Sequence, residues 1–291
     1  DEPPLEVWDH HIIPLLSLRD LALARPVCTF FEAYWQDKFS KNVLPLRVGN
    51  DVATINEVMG VIEILSSRRE YTKLNPFLVL LGKGDHQVTS SWTASGDINR
   101  PTTLGITRSN ITFVGTGKDT TTILGGFAIE NQENIMFKQM TVTNTSDNGI
   151  GINIILDAKV ELIDVALKGC SGSALTILLW SSTSETIFVA TRCEFANNRH
   201  GALVSGTLTS ATFNNCVFHD NSDDGMFVSN KATIHLHGEA TAIHSNEEDG
   251  ISATNSGKVV IHLPSNHNTS YNNGAEDRHT HGGGTITNVE D

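Results

Sequence analysis

The 291-residue chain carries 33 acidic against 20 basic side chains, a formal net charge of -13 and a sequence pI near 5.3. That field repels nucleic acid and anionic membranes, and a polyanionic sugar would need a local exception to it. No apolar run approaches the roughly 18 residues of a membrane span, and Cys28, Cys170, Cys193 and Cys216 are too scattered for a disulfide framework or a CxxC metal site, so they read as buried thiols.

The N-terminal DEPPLEVW sets acids and prolines where a secretory signal has basic and then apolar residues, so the expected location is intracellular. The glycosylation triplets opening at Asn110, Asn144 and Asn268 are read as chance matches. Residues 1 to 44 are rich in Leu, Trp and Phe at helical spacing: Val7, Trp8, Ile12, Leu15 and Leu16 share one face. Ser17 caps a second short helix through Ala24, and Pro26 opens a third that runs to about Phe39. Three such helices are too small to be stable undocked.

The string PPLEVWDHHIIPLLSLRDLALARPVCTFFEAYW resembles an F-box, with Pro4 and Glu6 at its start, the Leu18 to Leu21 step, and Val27-Cys28 before Phe30 and Phe31. It departs from the commonest pattern at Pro14 and Pro26. The resemblance implies docking onto a Skp-type adaptor of a cullin ubiquitin ligase, through Pro4, Leu5, Ile12, Leu16, Leu18, Leu21 and Val27.

Residues 51 to 73 read as a helix with Ile55, Val58, Met59, Ile62, Ile64 and Leu65 as its apolar positions, and β-structure begins in the PFLVLLGKGDHQV that follows. Within NITFVGTGKDTTTILGG, the GTGKDT run is similar to the core of a phosphate-binding loop. Asp119 separates Lys118 from Thr120, however, and TTTILGG continues as β-forming sequence where such a loop needs a helix start. The stretch is therefore expected to be a strand, a glycine corner and a second strand.

Beyond Gly126 the chain repeats. Gly149, Gly172, Gly201, Gly225 and Gly250 each follow a polar cluster, and Val142, Val165, Phe195, Phe218 or Ile243 stands six or seven residues earlier. A period near 24, with short strands inside it, fits one coil of a parallel β-helix better than a propeller blade or a leucine-rich repeat. The landmark glycines are expected to supply positive φ at corners. Cys193 and Cys216 are expected to stack, the 51 to 73 helix to cap one end, and the Gly-, Asn- and His-rich tail after Leu263 to shield the other.

The order of helix, LVLLGKGDHQV, ITRSNITFVGTGKDTTTILGG and Asn/Gly-punctuated coils resembles right-handed parallel β-helix proteins of the pectin-lyase-like class. The expected fold class is therefore mainly β: a solenoid over residues 45 to 291, with a capping helix, preceded by a three-helix F-box-like segment over 1 to 44.

In that register two rows precede the landmark glycines: Asn148, Ser171, His200, Asp224, Asp249 and, one residue earlier, Asp147, Cys170, Arg199, Asp223, Glu248. His200, Arg199, Asp224 and Asp249 are the candidate catalytic residues, since proton abstraction beside a sugar carboxylate needs a base, an acid and a cation together. No cofactor is required; Ca²⁺ between Asp224 and Asp249 is the ion such a pair would accept. The Asp-Pro-His motif of related epimerases is absent. His235 and His237 alternate on one strand and so point one way, as do His279 and His281, but two ligands do not make a metal site. Trp92 and Trp180 are candidate binding aromatics. The function expected from the combined resemblances is non-catalytic: an F-box substrate receptor whose β-helix binds a protein or glycan client. A polysaccharide lyase or epimerase is the alternative, and a structural subunit of a large assembly is a third.

Overall fold

The computed structural model describes residues 45–67, 69–93, 99–178, 184–262 and 269–290. The F-box-like segment, with Pro4, Leu5, Ile12, Leu16, Leu18, Leu21 and Val27, lies outside the described residues, as do Cys28 and Trp180.

Strands in this chain are short because apolar side chains alternate with polar ones for only a few residues before a polar turn intervenes. Apart from the small antiparallel pair of Trp92–Thr93 with Asn99–Arg100, the described runs pair in parallel with equivalent runs of neighbouring coils. One face is a long sheet that passes through Leu46–Val48, Phe77–Leu81, Ile111–Val114, Ile135–Thr143, Lys159–Lys168, Thr186–Thr191, Thr209–Asn214, Thr233–His237, Lys258–His262 and Thr285–Val289. A middle face continues from it, through Gly84–Gln87, Thr121–Leu124, Glu194–Ala196, Val217–His219, Ala242–His244 and Ser270–Tyr271. The third face is an eight-stranded sheet from Thr103–Ile106 to Arg278–His281. The chain visits the three faces in order and then climbs one strand spacing, about 4.8 Å.

Inward residues of successive coils fill the core. Phe113 stacks on Phe137 with ring centroids 5.2 Å apart, and Phe195 on Phe218 at 4.4 Å. Cys193 and Cys216 occupy equivalent buried positions, as expected from their spacing, since Glu194 and Val217, the residues after them, pair directly. GTGKDT lies between the strands Ile111–Val114 and Thr121–Leu124, with Gly117 at φ +147, a corner of the coil.

The register differs from the sequence expectation in one segment. Ile152, Leu175, Ala202, Met226 and Ile251 align across the third sheet. The position before them is therefore Gly151, Ala174, Gly201, Gly225 and Gly250, so Gly149 and Gly172 are two residues early. Val142 likewise pairs with Leu167, not with Val165. The turn before Gly151, between Ile135–Thr143 and Ile152–Ile155, is longer than those before the later coils, which an even count along the chain cannot reveal.

The reason for the glycines is also different. None of the five landmarks has positive φ; that role falls to Asn110, Asn131, Asn134, Asn148, Asn197, Asn215, Asn230, Asn255 and Asn272, all with φ between 48 and 62. Asparagine tolerates this region because its short amide bonds to local backbone. Gly201, Gly225 and Gly250 are needed for close approach instead: a Cβ would lie 2.5 Å from the Gly225 carbonyl oxygen, 2.6 Å from Ile243 and 2.1 Å from the Ser270 hydroxyl, respectively.

Inside the turn between the middle and third faces, buried asparagines bridge the coils. Asn198 N donates to Asn221 Oδ1, Asn221 N to Asn246 Oδ1 and Asn246 N to Asn273 Oδ1, at 3.1 to 3.2 Å. Their amide nitrogens donate to carbonyl oxygens, Asn221 Nδ2 to Phe195 O among them. Backbone groups that a tight turn would leave unpaired are thereby satisfied.

The expected helix over 51 to 73 is shorter, comprising a 3-10 turn at Ile55–Glu57 and an α-helix at Val58–Ser66. Ser67 ends it by donating its hydroxyl to Ile64 O at 2.7 Å. Ile55, Val58, Val61, Ile62 and Leu65 are buried in the same core as Leu46 and Phe77, whereas Ile64 is 39% exposed. Asn56 pins the helix start to the first coil, since its Nδ2 donates to Gln87 O and its Oδ1 accepts from Thr89 N. The tail after Leu263 does not act as a shield: among its described residues, Ser270–Tyr271, Arg278–His281 and Thr285–Val289 continue all three ladders.

Candidate functional site

Four of the residues expected to act together meet where the polar turn enters the third sheet. Their stacking follows from the ladder, in which Gly201 N donates to Asp224 O and Gly225 N to Asp249 O. His200, Asp224 and Asp249 are thus successive rungs, with Arg199 and Asp223 one residue outward.

Arg199 Nε donates to Asp223 Oδ2 at 2.8 Å, and the Arg199 side chain stays 58% exposed. His200 lies between two carboxylates: Nε2 is 3.4 Å from Asp223 Oδ2 and Nδ1 is 3.9 Å from Asp224 Oδ2. Nδ1 is closed off from solvent and makes no hydrogen bond. Burial holds the imidazole pKa below its ordinary value, against the pull of Asp223, so the ring is neutral near neutrality. Burial pushes the Asp224 carboxyl the other way, up to about 6, against the hydrogen bond that its Oδ1 accepts from Asp249 N at 3.1 Å. Asp249 Oδ1 accepts in turn from Glu276 N at 3.0 Å.

The cluster therefore holds a neutral imidazole, a carboxyl that keeps its proton to unusually high pH, and an exposed guanidinium. That combination suits proton transfer next to an anionic sugar group. The upper parts of the expected rows do not join it: Ser173 and Gly172, not Ser171 and Cys170, stand beside His200 and Arg199, because of the register change. Cys170 is buried, with a thiol pushed up to about 11 by that burial, so it is no nucleophile. Trp92 is half-buried over Gly105, where a Cβ would meet its ring at 2.3 Å.

A groove of about 520 Å³ lies elsewhere, on the outer face of the long sheet. Its walls are Leu78, Val114, Met136 and Val189, with Lys73, Lys138 and Lys159 among its edges. Sequence reading missed it because the lysines come from separate coils and no local motif joins them. His262 was missed for the same reason: it stands beside His235 and His237 on that face only once coils are in register.

No protein-family model matches the chain, and no curated protein matches it. Among solved structures it is similar to the A-module of mannuronan C-5 epimerase AlgE6 from Azotobacter vinelandii. The TM-score is 0.56 at 15% identity, over 80% of this chain and 64% of that one, so the match spans less than two thirds of the module. A pectin methylesterase in complex with a hexasaccharide matches with a TM-score of 0.47 at 12% identity, over 76% and 78% of the two chains. ORF18 of Geobacillus virus E2 matches at 0.35 and 11% identity, over 90% and 64%. At such identities the first likeness establishes architecture alone: the described coils form a right-handed parallel β-helix.

Proposed function

We propose that the chain acts on a uronate-containing polysaccharide as a lyase or epimerase of the β-helix class. The observation that carries this reading is the meeting of Arg199 and His200 from one turn with Asp224 from the turn stacked on it. A small turn of the His200 ring that closes the 3.9 Å gap from Nδ1 to Asp224 would let Asp224 hold that side, while the Nε2 edge takes the proton beside the sugar carboxylate and Arg199 neutralises that carboxylate. Asp223 holds the guanidinium in place, and Asp249 orients Asp224 through its backbone N–H. A single base on one side can return its proton to the leaving oxygen on that same side, so the geometry favours elimination. Epimerisation needs a donor across the ring. The likeness to a mannuronan epimerase supports the substrate class.

The test is incubation of the full chain with polymannuronate, polyguluronate and polygalacturonate. Unsaturated uronides report elimination, and deuterium uptake at the acidic carbon reports epimerisation. His200→Ala and Asp224→Asn are expected to lower the rate about 100-fold or more; a wild type that neither cleaves nor exchanges any of them overturns the reading.

The groove favours a second reading, non-catalytic glycan binding, because Lys73 and Lys138 stand at the edge of an apolar floor, with Lys159 held by Glu133, and Glu161 also on the wall. Retained polymer binding with no turnover would select it. A Skp-type adaptor contact is proposed from residues 1 to 44 on their sequence alone.

A further inference from the structure

We propose that His235, His237 and His262 form a site for a divalent transition-metal ion of the Zn²⁺ type on the outer face of the long sheet. His235 and His237 project from one face of Thr233–His237 because strand side chains alternate. The parallel pairing of Leu236 with Ile261 sets His262 beside His237 on the adjacent strand, Lys258–His262. One coordinating nitrogen from each of the three imidazoles lies within 4.8 Å of the other two. His235 Nδ1 is 3.0 Å from His262 Nε2, and the His237 and His262 rings stack at 3.9 Å.

Zn–N bonds of about 2.0–2.1 Å at a tetrahedral ion put ligand nitrogens roughly 3.3 Å apart. The observed triangle brackets that separation, so modest side-chain rotations close it around an ion. His237 and His262 also engage other groups, and binding exchanges those contacts.

The donor set decides the ion. Register partners of His235 are Thr212 and Val260, and that of His237 is Asn214, so these neighbours add no carboxylate. Three neutral imidazoles select Zn²⁺, Ni²⁺, Cu²⁺ or Co²⁺ over Ca²⁺ and Mg²⁺, which need oxygen. The ring edges sit on an outer sheet face, half-buried, so the remaining coordination position points outward. The proposal is independent of His200 and Asp224, which belong to other turns.

The full chain, stripped with a chelator, is titrated with ZnCl₂ by calorimetry and with CoCl₂ by visible absorption. One Zn²⁺ per chain is expected, with intense tetrahedral Co²⁺ bands and no response to CaCl₂. His262→Ala is expected to weaken binding by about 100-fold or more and to abolish the Co²⁺ bands. A double variant, His279→Ala with His281→Ala, is expected to keep both. Circular dichroism of His262→Ala without metal checks that the fold persists; should it not, His235→Gln serves as the second variant. Absence of saturable one-to-one binding, or binding lost in the tail variant and retained in both site variants, overturns the assignment.

Discussion

Asp224 and His200 carry opposite linkages although they are neighbours. Burial raises the folded Asp224 pKa from 3.8 to about 6. Its native form thus binds a proton more tightly than the unfolded chain does. Stability from this group is full below the lower value, falls as pH rises between the two, and stays reduced above. For His200 burial lowers the pKa, so stability is lost as pH falls below the ordinary 6.5. Asp224→Asn keeps an acceptor for Asp249 N and removes the buried charge. The rise to about 6 corresponds to about 3 kcal/mol, and the side chain is 13% exposed. Solvent screening reduces this, so the expected gain is about 1–2 kcal/mol at pH 7, vanishing near pH 4. Urea unfolding at the two pH values measures it; an equal gain at both would show that charge is not the cause. At this scale the sequence was informative about identity: the neighbours His200, Arg199, Asp224 and Asp249 were readable from a count of residues before each glycine. The protonation preferences were not, because they come from burial.

At the scale of a single turn, the asparagines are what allow a sharp, buried corner to recur. Asn221 is fully buried, its Oδ1 accepts from both Asn198 N and Asn198 Nδ2, and its Nδ2 donates to Phe195 O and Asn246 Oδ1. Asn221→Ala strands those partners away from water, at an expected cost of about 3 kcal/mol or more, seen as a lower urea midpoint. An Asn on an exposed turn, such as Asn230→Ala, should cost less than half of that, about 1 kcal/mol, chiefly through its left-handed φ of 52. Equal losses at the two positions would deny the buried bridge its special weight. The repeat marked these turns by composition, but two kinds of position look alike in sequence. Glycine was read as the residue of positive φ, when asparagine fills that role and Gly201 and Gly225 yield space to backbone and side chains of the next coil. Spacing alone also could not detect the two extra turn residues before Gly151, since a turn lengthens without changing its polarity. The groove on the long sheet was illegible for a related reason: its lining residues are many positions apart and share no motif.

For the molecule as a whole, every coil after the first rests on the one before, through parallel ladders on three faces. The 24-residue distance from Ala202 to its ladder partner Met226 is one full circuit of the chain. Excising residues 202 to 225 would therefore join Gly201 to Met226 in a place where the backbone already expects an equivalent residue. Asn198 would then meet Asn246, and Phe195 would face Ile243. We expect the shortened chain to fold, with strand-type circular dichroism and a cooperative unfolding transition, although it forfeits the contacts of Phe213 and Phe218. A deletion of half that length, residues 202 to 213, should fail, because it would rotate every later strand onto the wrong face. Length in such a scaffold is thus quantised: it changes by whole circuits, and a gene encoding it can grow or shrink by modules while the surfaces at either side of the cut keep their spacing.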